Sequence, residues 1–240
     1  MISIRQWAII SVVSLLGMLP PGSAWGAEEP SAPPDDFVVT CGSPPPGHLV
    51  RGKLDYRHGR MNSVNQLDSR SMERRHLRPA MARVSSGKNL DWEVMNNLHF
   101  ILSKVPNHEP ALRVLIDWDL MGGRHHRQEF AGPACYLVWA AQFAPDDVVV
   151  WNYGGLYFQR KGDARRAMKW WRQALLVDPA NPDVHYALGL IAFESGDYQQ
   201  ARSHAQSAYA GGYPLPALRN KLQSAGQWQE PPAAAGPHLE

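Results

Sequence analysis

Residues 151–179, WNYGGLYFQRKGDARRAMKWWRQALLVDP, decide the fold once they are set beside residues 185–213, HYALGLIAFESGDYQQARSHAQSAYAGGY. The two stretches align without a gap at a spacing of 34 residues. Gly155 meets Gly189, Leu156 meets Leu190, and Gly162-Asp163 meets Gly196-Asp197. Ala167 and Ala174 meet Ala201 and Ala208. The ring positions Trp151, Phe158 and Trp171 fall on His185, Ala192 and Ala205, so small residues hold while large ones shrink. The central Gly-Asp pair is a turn signal that divides each stretch into a helix A and a helix B. Pro179 ends the first unit, because proline lacks an N–H and clashes with the preceding turn.

A period of 34 with this order of ring, small, ring, turn Gly, Ala, ring, Ala and Pro resembles the tetratricopeptide (TPR) repeat. Such units stack into a curved solenoid whose usual product is a binding surface. Gly155 and Gly189 then sit where helices approach too closely for a side chain, and the alanines let helix B lie near its neighbours. A third unit is expected upstream. Residues 103–111 read as a join between units, like residues 177–183. A helix A follows over 109–121, closed by Gly122-Gly123, and a helix B over 132–143, ended by Pro145. The loop between them, 124–131, is longer than the repeat allows. A helix over 90–104, with Val94, Leu98, Ile101 and Leu102 on one stripe and Asp91 or Asn89 as cap, reads as a helix B without a partner. Pro214 and Pro216 open a last helix over 215–225, the solvating cap. The expectation is an all-α, short TPR-like α-solenoid of about three helical hairpins plus a C-terminal capping helix, behind an irregular N-terminal arm.

The first residues speak to compartment. Arg5 precedes an apolar run over 8–19, then a helix-breaking segment with the small-x-small site Ala24-Trp25-Gly26. An apolar run of about a dozen residues is short for a bilayer span, which needs roughly 20. The reading is a cleaved signal peptide over 1–26 and a periplasmic mature protein. Residues 27–47 form a Pro-, Asp- and Ser-rich leader, 48–88 a basic arm with room for a short helix around 71–83, 89–228 the helical domain, and 229–240 a tail. The chain has two cysteines, Cys41 and Cys135. In an oxidising compartment they predict one disulfide; two separate thiols, with Cys135 in the core, is the alternative.

A formal net charge of +2 is too small to argue for nucleic acid. Positive charge gathers in the arm, at Arg51, Lys53, Arg57, Arg60, Arg70, Arg74, Arg75, Arg78, Arg83 and Lys88, against Asp55, Asp68 and Glu73. The arm is either a solvated, loosely structured segment or a contact for an anionic partner. His125-His126 in the inserted loop has no acidic or Cys partner at helical spacing, so no metal site is predicted. His99, His185 and His204 stand isolated on helices. Asp117 with Asp119 and Asp146 with Asp147 read as surface or cap residues. Nothing resembles a nucleophile elbow or a phosphate loop, so the chain is read as no enzyme, with neither catalytic residues nor a cofactor.

The candidate site is the inner face of the solenoid, formed by helix A at repeat positions 2, 5, 9, 12 and 13. These are Val149, Asn152, Leu156, Gln159 and Arg160, then Asp183, Tyr186, Leu190, Phe193 and Glu194. The face mixes apolar and polar groups and suits a peptide with aromatic or aliphatic anchors. The expected function is a periplasmic scaffold that binds a peptide or a protein subunit of an envelope complex. The alternative is an envelope ligand-binding or enzyme-accessory factor that takes an anionic polymer or metal through the basic arm or the loop histidines.

Several short runs add a family resemblance. They are Cys41-Gly42, Leu54-Asp55-Tyr56-Arg57, Val105-Pro106-Asn107-His108 with Ala111-Leu112, Cys135-Tyr136, His185-Tyr186-x-Leu188-Gly189, and Tyr213-Pro214-Leu215-Pro216-x-Leu218-Arg219-Asn220-Lys221-Leu222. Together they resemble a family of exported proteobacterial TPR proteins, over nearly the whole mature chain. The resemblance implies an envelope location and a short TPR fold, and it supplies no catalytic residues.

Overall fold

A helix start leaves backbone N–H groups without partners, and a short polar side chain just before the helix takes one of them. Among the described residues this chain uses the device six times, the helix over Pro133–Phe143 alone between them starting without it. Asp91 accepts from the Glu93 N–H, His108 from Ala111, Asp147 from Val149, Asp163 from Arg166, Asn181 from Val184 and Asp197 from Gln200. The computed structural model describes residues 41, 54–59, 70–88, 90–123 and 131–230. The proposed signal peptide, most of the leader, His125-His126 and residues 231–240 lie outside them.

The helices in chain order are a single turn α1 (Tyr56–Gly59), α2 (Arg78–Ser86), α3 (Trp92–Leu102), α4 (Glu109–Leu120), α5 (Pro133–Phe143) and α6 (Val148–Arg160). Then come α7 (Ala164–Val177), α8 (Pro182–Glu194), α9 (Tyr198–Ala210) and α10 (Ala217–Ser224). A π-helical turn over Glu73–Leu77 runs directly into α2. The elements pair as hairpins, α2 with α3, α4 with α5, α6 with α7, and α8 with α9, and α10 closes the stack against α8 and α9. The result is an all-α TPR-like solenoid, with no strand among the described residues. No helix among them is long and apolar enough to cross a membrane.

Gly162 and Gly196 take left-handed backbone, φ 78° and 82°, between the A and B helices of the last two hairpins. A Cβ there would be strained, which is why the turn repeats as Gly-Asp. Gly155 and Gly189 answer a different demand. A Cβ on Gly155 would run into the indole of Trp171, and one on Gly189 would come within 2.6 Å of Leu218. Gly154 is closed in the same way by Trp170. The rings that close on glycine, Trp118, Trp170 and Trp171, belong to the core together with Trp151, and all four are at most 2% exposed. Each such ring buries on the order of 200 Å² of mostly apolar surface, the dominant stabilising contribution here.

Two expectations need correction. The short helix expected around 71–83 is present, but it is longer, running over 70–86, and it packs into the core rather than belonging to an irregular arm. Leu77, Ala80 and Val84 recur at helical spacing, are at most 6% exposed, and join the core beside Leu98 and Leu112. The arginines at 74, 75, 78 and 83 mask this stripe in the sequence because they occupy the other face. The helix over 90–104 is therefore not an orphan. It is helix B of a fourth hairpin, so the helical body begins at residue 70 rather than 89.

Cys41 and Cys135 form a disulfide with a Cα–Cα distance of 5.2 Å. It ties the leader to α5 across 94 residues of chain.

Candidate functional site

The helix A face is built by register. Counting from the first residue of α6 and α8 returns the ten residues named above. Counting in the same way from Glu109, the start of α4, gives Pro110, Arg113, Asp117, Leu120 and Met121. Counting from Glu73 gives Arg74, Leu77, Met81, Val84 and Ser85. Val84, Ser85, Asp117, Leu120, Met121 and Arg160 from these positions line one open pocket of about 520 Å³. Three successive A helices thus share one hollow. Sequence reasoning missed the first two contributions because the inserted loop breaks the 34-residue register and the arginines hide α2. The available signal was the join at Val105-Pro106-Asn107-His108, which fixes where α4 starts.

The ten sequence-derived residues divide in two. Val149, Leu156, Gln159, Leu190 and Phe193 are half-buried, while Arg160, Asp183 and Glu194 are exposed. Tyr186 is not a solvent-facing anchor. It is 9% exposed and stacks on Tyr213 with ring centroids 3.9 Å apart. Asn152 is also committed to the fold, because its Oδ1 accepts a hydrogen bond from Trp171 Nε1 at 2.9 Å.

Polar contacts lace α4 to α6 along this face. Arg160 donates to Asp117 at 3.3 Å, and Arg113 Nε lies 3.6 Å from the same carboxylate. The Tyr153 hydroxyl donates to Glu109 at 3.2 Å, and the Tyr157 hydroxyl to Asp119 at 3.1 Å. Lys161 pairs with Asp119 at 2.9 Å. Burial, with the Glu109 charge beside it, pushes the Tyr153 phenol up to about 12. Burial with Asp119 raises Tyr157 further still. Both phenols therefore stay protonated donors at any physiological pH.

At the opposite edge, the Asp55-Tyr56-Arg57 segment docks on the joins between hairpins. Asn107, 1% exposed, accepts from the Tyr56 N–H at 3.0 Å and donates to Asp55 and Asp147, each at 2.9 Å. Arg57 bonds Asp55 at 2.6 Å and Asp146 at 3.0 Å and lies 3.6 Å from Asp147. Burial pushes the Asp55 carboxyl up, but hydrogen bonds from Arg57 and Asn107 outweigh it and hold the group at about 2. Asp147 moves the other way, raised by burial. His108, fully buried, meets Glu73 at 3.3 Å and stacks obliquely on Tyr56, which brings the first hairpin onto the same join. Arg83 is bound to Asp91 and Glu93 at 3.1 and 2.6 Å. Arg57 and Arg83 are thus committed within the fold, and the reading of a loose basic arm does not hold for them.

His185 and His204 are not isolated either. Their Nδ1 atoms stand 3.0 Å apart between α8 and α9. His185 Nε2 lies 2.9 Å from the Pro179 carbonyl, which only accepts, so neutral His185 carries its proton on Nε2 and takes one from His204 through Nδ1. Among the described residues no group of three or more His, Cys, Asp or Glu is placed to hold a metal ion.

The model of the family described as TPR repeat matches residues 154–196, from α6 through α7 into α8. With the hairpin stack, this match supports a TPR protein, a class whose arrays serve as protein-interaction scaffolds. No curated protein matches the chain.

Proposed function

We propose that this chain is a periplasmic scaffold that binds a peptide or a protein subunit of an envelope complex through its helix A face. One observation carries the reading. Side chains at equivalent repeat positions of three successive A helices line a common open pocket, with Met121 and Arg160 reaching solvent. Export is supported by the signal-like segment over 1–26 and by the Cys41–Cys135 disulfide, which suits an oxidising compartment.

A photo-crosslinking amino acid placed at Gln159 or Glu194 is expected to capture one discrete partner in cells. The same residue at exposed Gln199, on the helix B side, is expected to capture none. Equal capture at all three positions, or none at the inner two, refutes the reading. N-terminal sequencing of the protein from a periplasmic fraction is expected to begin after Gly26 or within two residues of it; an intact Met1 refutes cleavage.

A further inference from the structure

We infer that the joint between α8 and α9 is an acid-sensitive latch: protonation of the His185–His204 pair releases α9 and α10 from α8 while the upstream hairpins stay closed. The inference does not depend on what the helix A face binds. The preceding repeat supplies the comparison. His185 and His204 stand 34 residues after Trp151 and Trp170. The two pairs pack alike, with ring centroids 5.2 Å apart in each and interplanar angles of 52° for the indoles and 42° for the imidazoles. Even the outer hydrogen bond is kept. Trp151 Nε1 donates to the Pro145 carbonyl at 2.7 Å, and His185 Nε2 meets the Pro179 carbonyl, 34 residues on, at 2.9 Å. The last hairpin thus holds two titratable rings where the hairpin before it holds two indoles, which take up no proton.

The pair shares one proton between Nδ1 atoms 3.0 Å apart. A further proton on His185 Nδ1 sets two N–H groups against each other, which breaks the bond and leaves a charge in a half-buried place. Burial and the neighbouring His185 lower His204 from 6.5 to about 4. The open segment therefore takes the proton more readily than the closed one, and falling pH favours opening. Little else holds α9 in place. Its buried residues are Ala201, Ala205 and Ala208, whereas α7 buries Trp170 and Trp171 beside its alanines. These three alanines cluster with Tyr186, Leu218 and Leu222, apart from the Trp-rich core. A terminal unit with so little buried apolar surface opens before the rest of a stack whose units contact only their neighbours. The charges around the pair do not offset the effect. α8 and the join before it carry Asp178, bonded to Asn181, and exposed Asp183 and Glu194. α9 adds Arg202, which donates to the Gln227 carbonyl. α10 adds Arg219, over Tyr209 and Trp228, and Lys221, over Phe193. α7 adds only cations, Arg165, Arg166, Lys169 and Arg172. Asp197, at the start of α9, favours a protonated His204, but less than burial and His185 oppose it.

The test is amide hydrogen exchange of the disulfide-bonded chain at pH 7 and pH 5, read by mass spectrometry and corrected for the intrinsic pH dependence of exchange. Protection over α9 and α10 is expected to fall roughly twentyfold between the two, as the shift of His204 implies, while protection over α4 to α7 stays level. His204→Gln, which keeps a polar side chain but cannot take the charge, is expected to remove the difference between the two pH values in α9 and α10. An NMR titration of the histidine rings tests the latch without any variant, and the His204 midpoint is expected well below that of an unfolded histidine. Protection that is unchanged at pH 5, a loss of equal size in α4 to α7, a pH difference that survives His204→Gln, or a His204 midpoint at the ordinary histidine value overturns the inference.

Discussion

The indole of Trp171 lies so close over Gly155, at the crossing of α6 and α7, that no Cβ fits between them. Trp171 is 1% exposed, and its Nε1 is held by Asn152, so the ring has nowhere to retreat. On an open helix surface Gly→Ala stabilises by about 1 kcal/mol. Here Gly155→Ala is expected to destabilise by about 1–3 kcal/mol through overpacking. The sign of the change, read by chemical denaturation, is the test, and a stabilised variant would show that the contact is not tight.

Asn107 serves three partners from a buried position. Asn107→Ala leaves the Tyr56 N–H and the Asp55 and Asp147 carboxylates each short of a partner. A loss on the order of 2–4 kcal/mol is expected in thermal or denaturant unfolding, since buried polar groups left unpaired cost about 1–3 kcal/mol each. A loss near zero would mean that water replaces the amide and that the α1 segment is not clamped.

The histidine pair predicts a pH effect. Burial, and then the neighbouring His185, lower His204 from 6.5 to about 4, while Asp197 works weakly against them. The folded state therefore resists the proton that the unfolded chain accepts. Stability from this group is fully present above about pH 6.5 and is lost progressively as pH falls toward 4. Denaturation midpoints across that range are expected to fall for the wild type and to fall less for His204→Gln. The Asp55 contribution, from a carboxyl held at about 2, is lost only below about pH 4 and does not overlap.

Tyr186 and Leu190 are one helical turn apart on α8 but do different work. Tyr186 stacks on Tyr213 and is buried, so Tyr186→Ala is expected to cost about 3 kcal/mol of stability. Leu190 is half-buried on the helix A face, and Leu190→Ala is expected to cost about half as much while weakening partner capture. Equal melting temperatures for the two variants would contradict this division.

Reduction tests the long covalent tie. The Cys41–Cys135 bridge spans 94 residues, and closing a loop of that size stabilises by on the order of 4 kcal/mol on chain-entropy grounds. Unfolding with reductant, or of Cys41→Ser/Cys135→Ser, is expected to show a lower midpoint. Unchanged melting would mean that the reduced unfolded chain is already compact. Titration of the denatured, unreduced protein is expected to find almost no thiol.

The sequence by itself determined the elements that depend on near neighbours along the chain. The Gly-Asp turns, the caps at Asp147, Asp163, Asn181 and Asp197, and the small residues at Gly155 and Ala174 recur because each hairpin is solved locally and then repeated. That is why the last two hairpins, the capping helix and half of the helix A face were legible. What tertiary structure alone decided lies between hairpins. Met121 and Arg160 share a pocket with Val84 because separate A helices stack side by side, and no spacing along the chain encodes that distance once a loop breaks the period. Asn107 reaches back 52 residues to Asp55 and forward 40 to Asp147, and His185 meets His204 only because α8 and α9 fold face to face. Tyr186 carries a surface position in the repeat but is buried by Tyr213, which stands at the end of the same repeat, beyond α9. Packing between distant segments settled whether each of these side chains holds the fold or faces a partner.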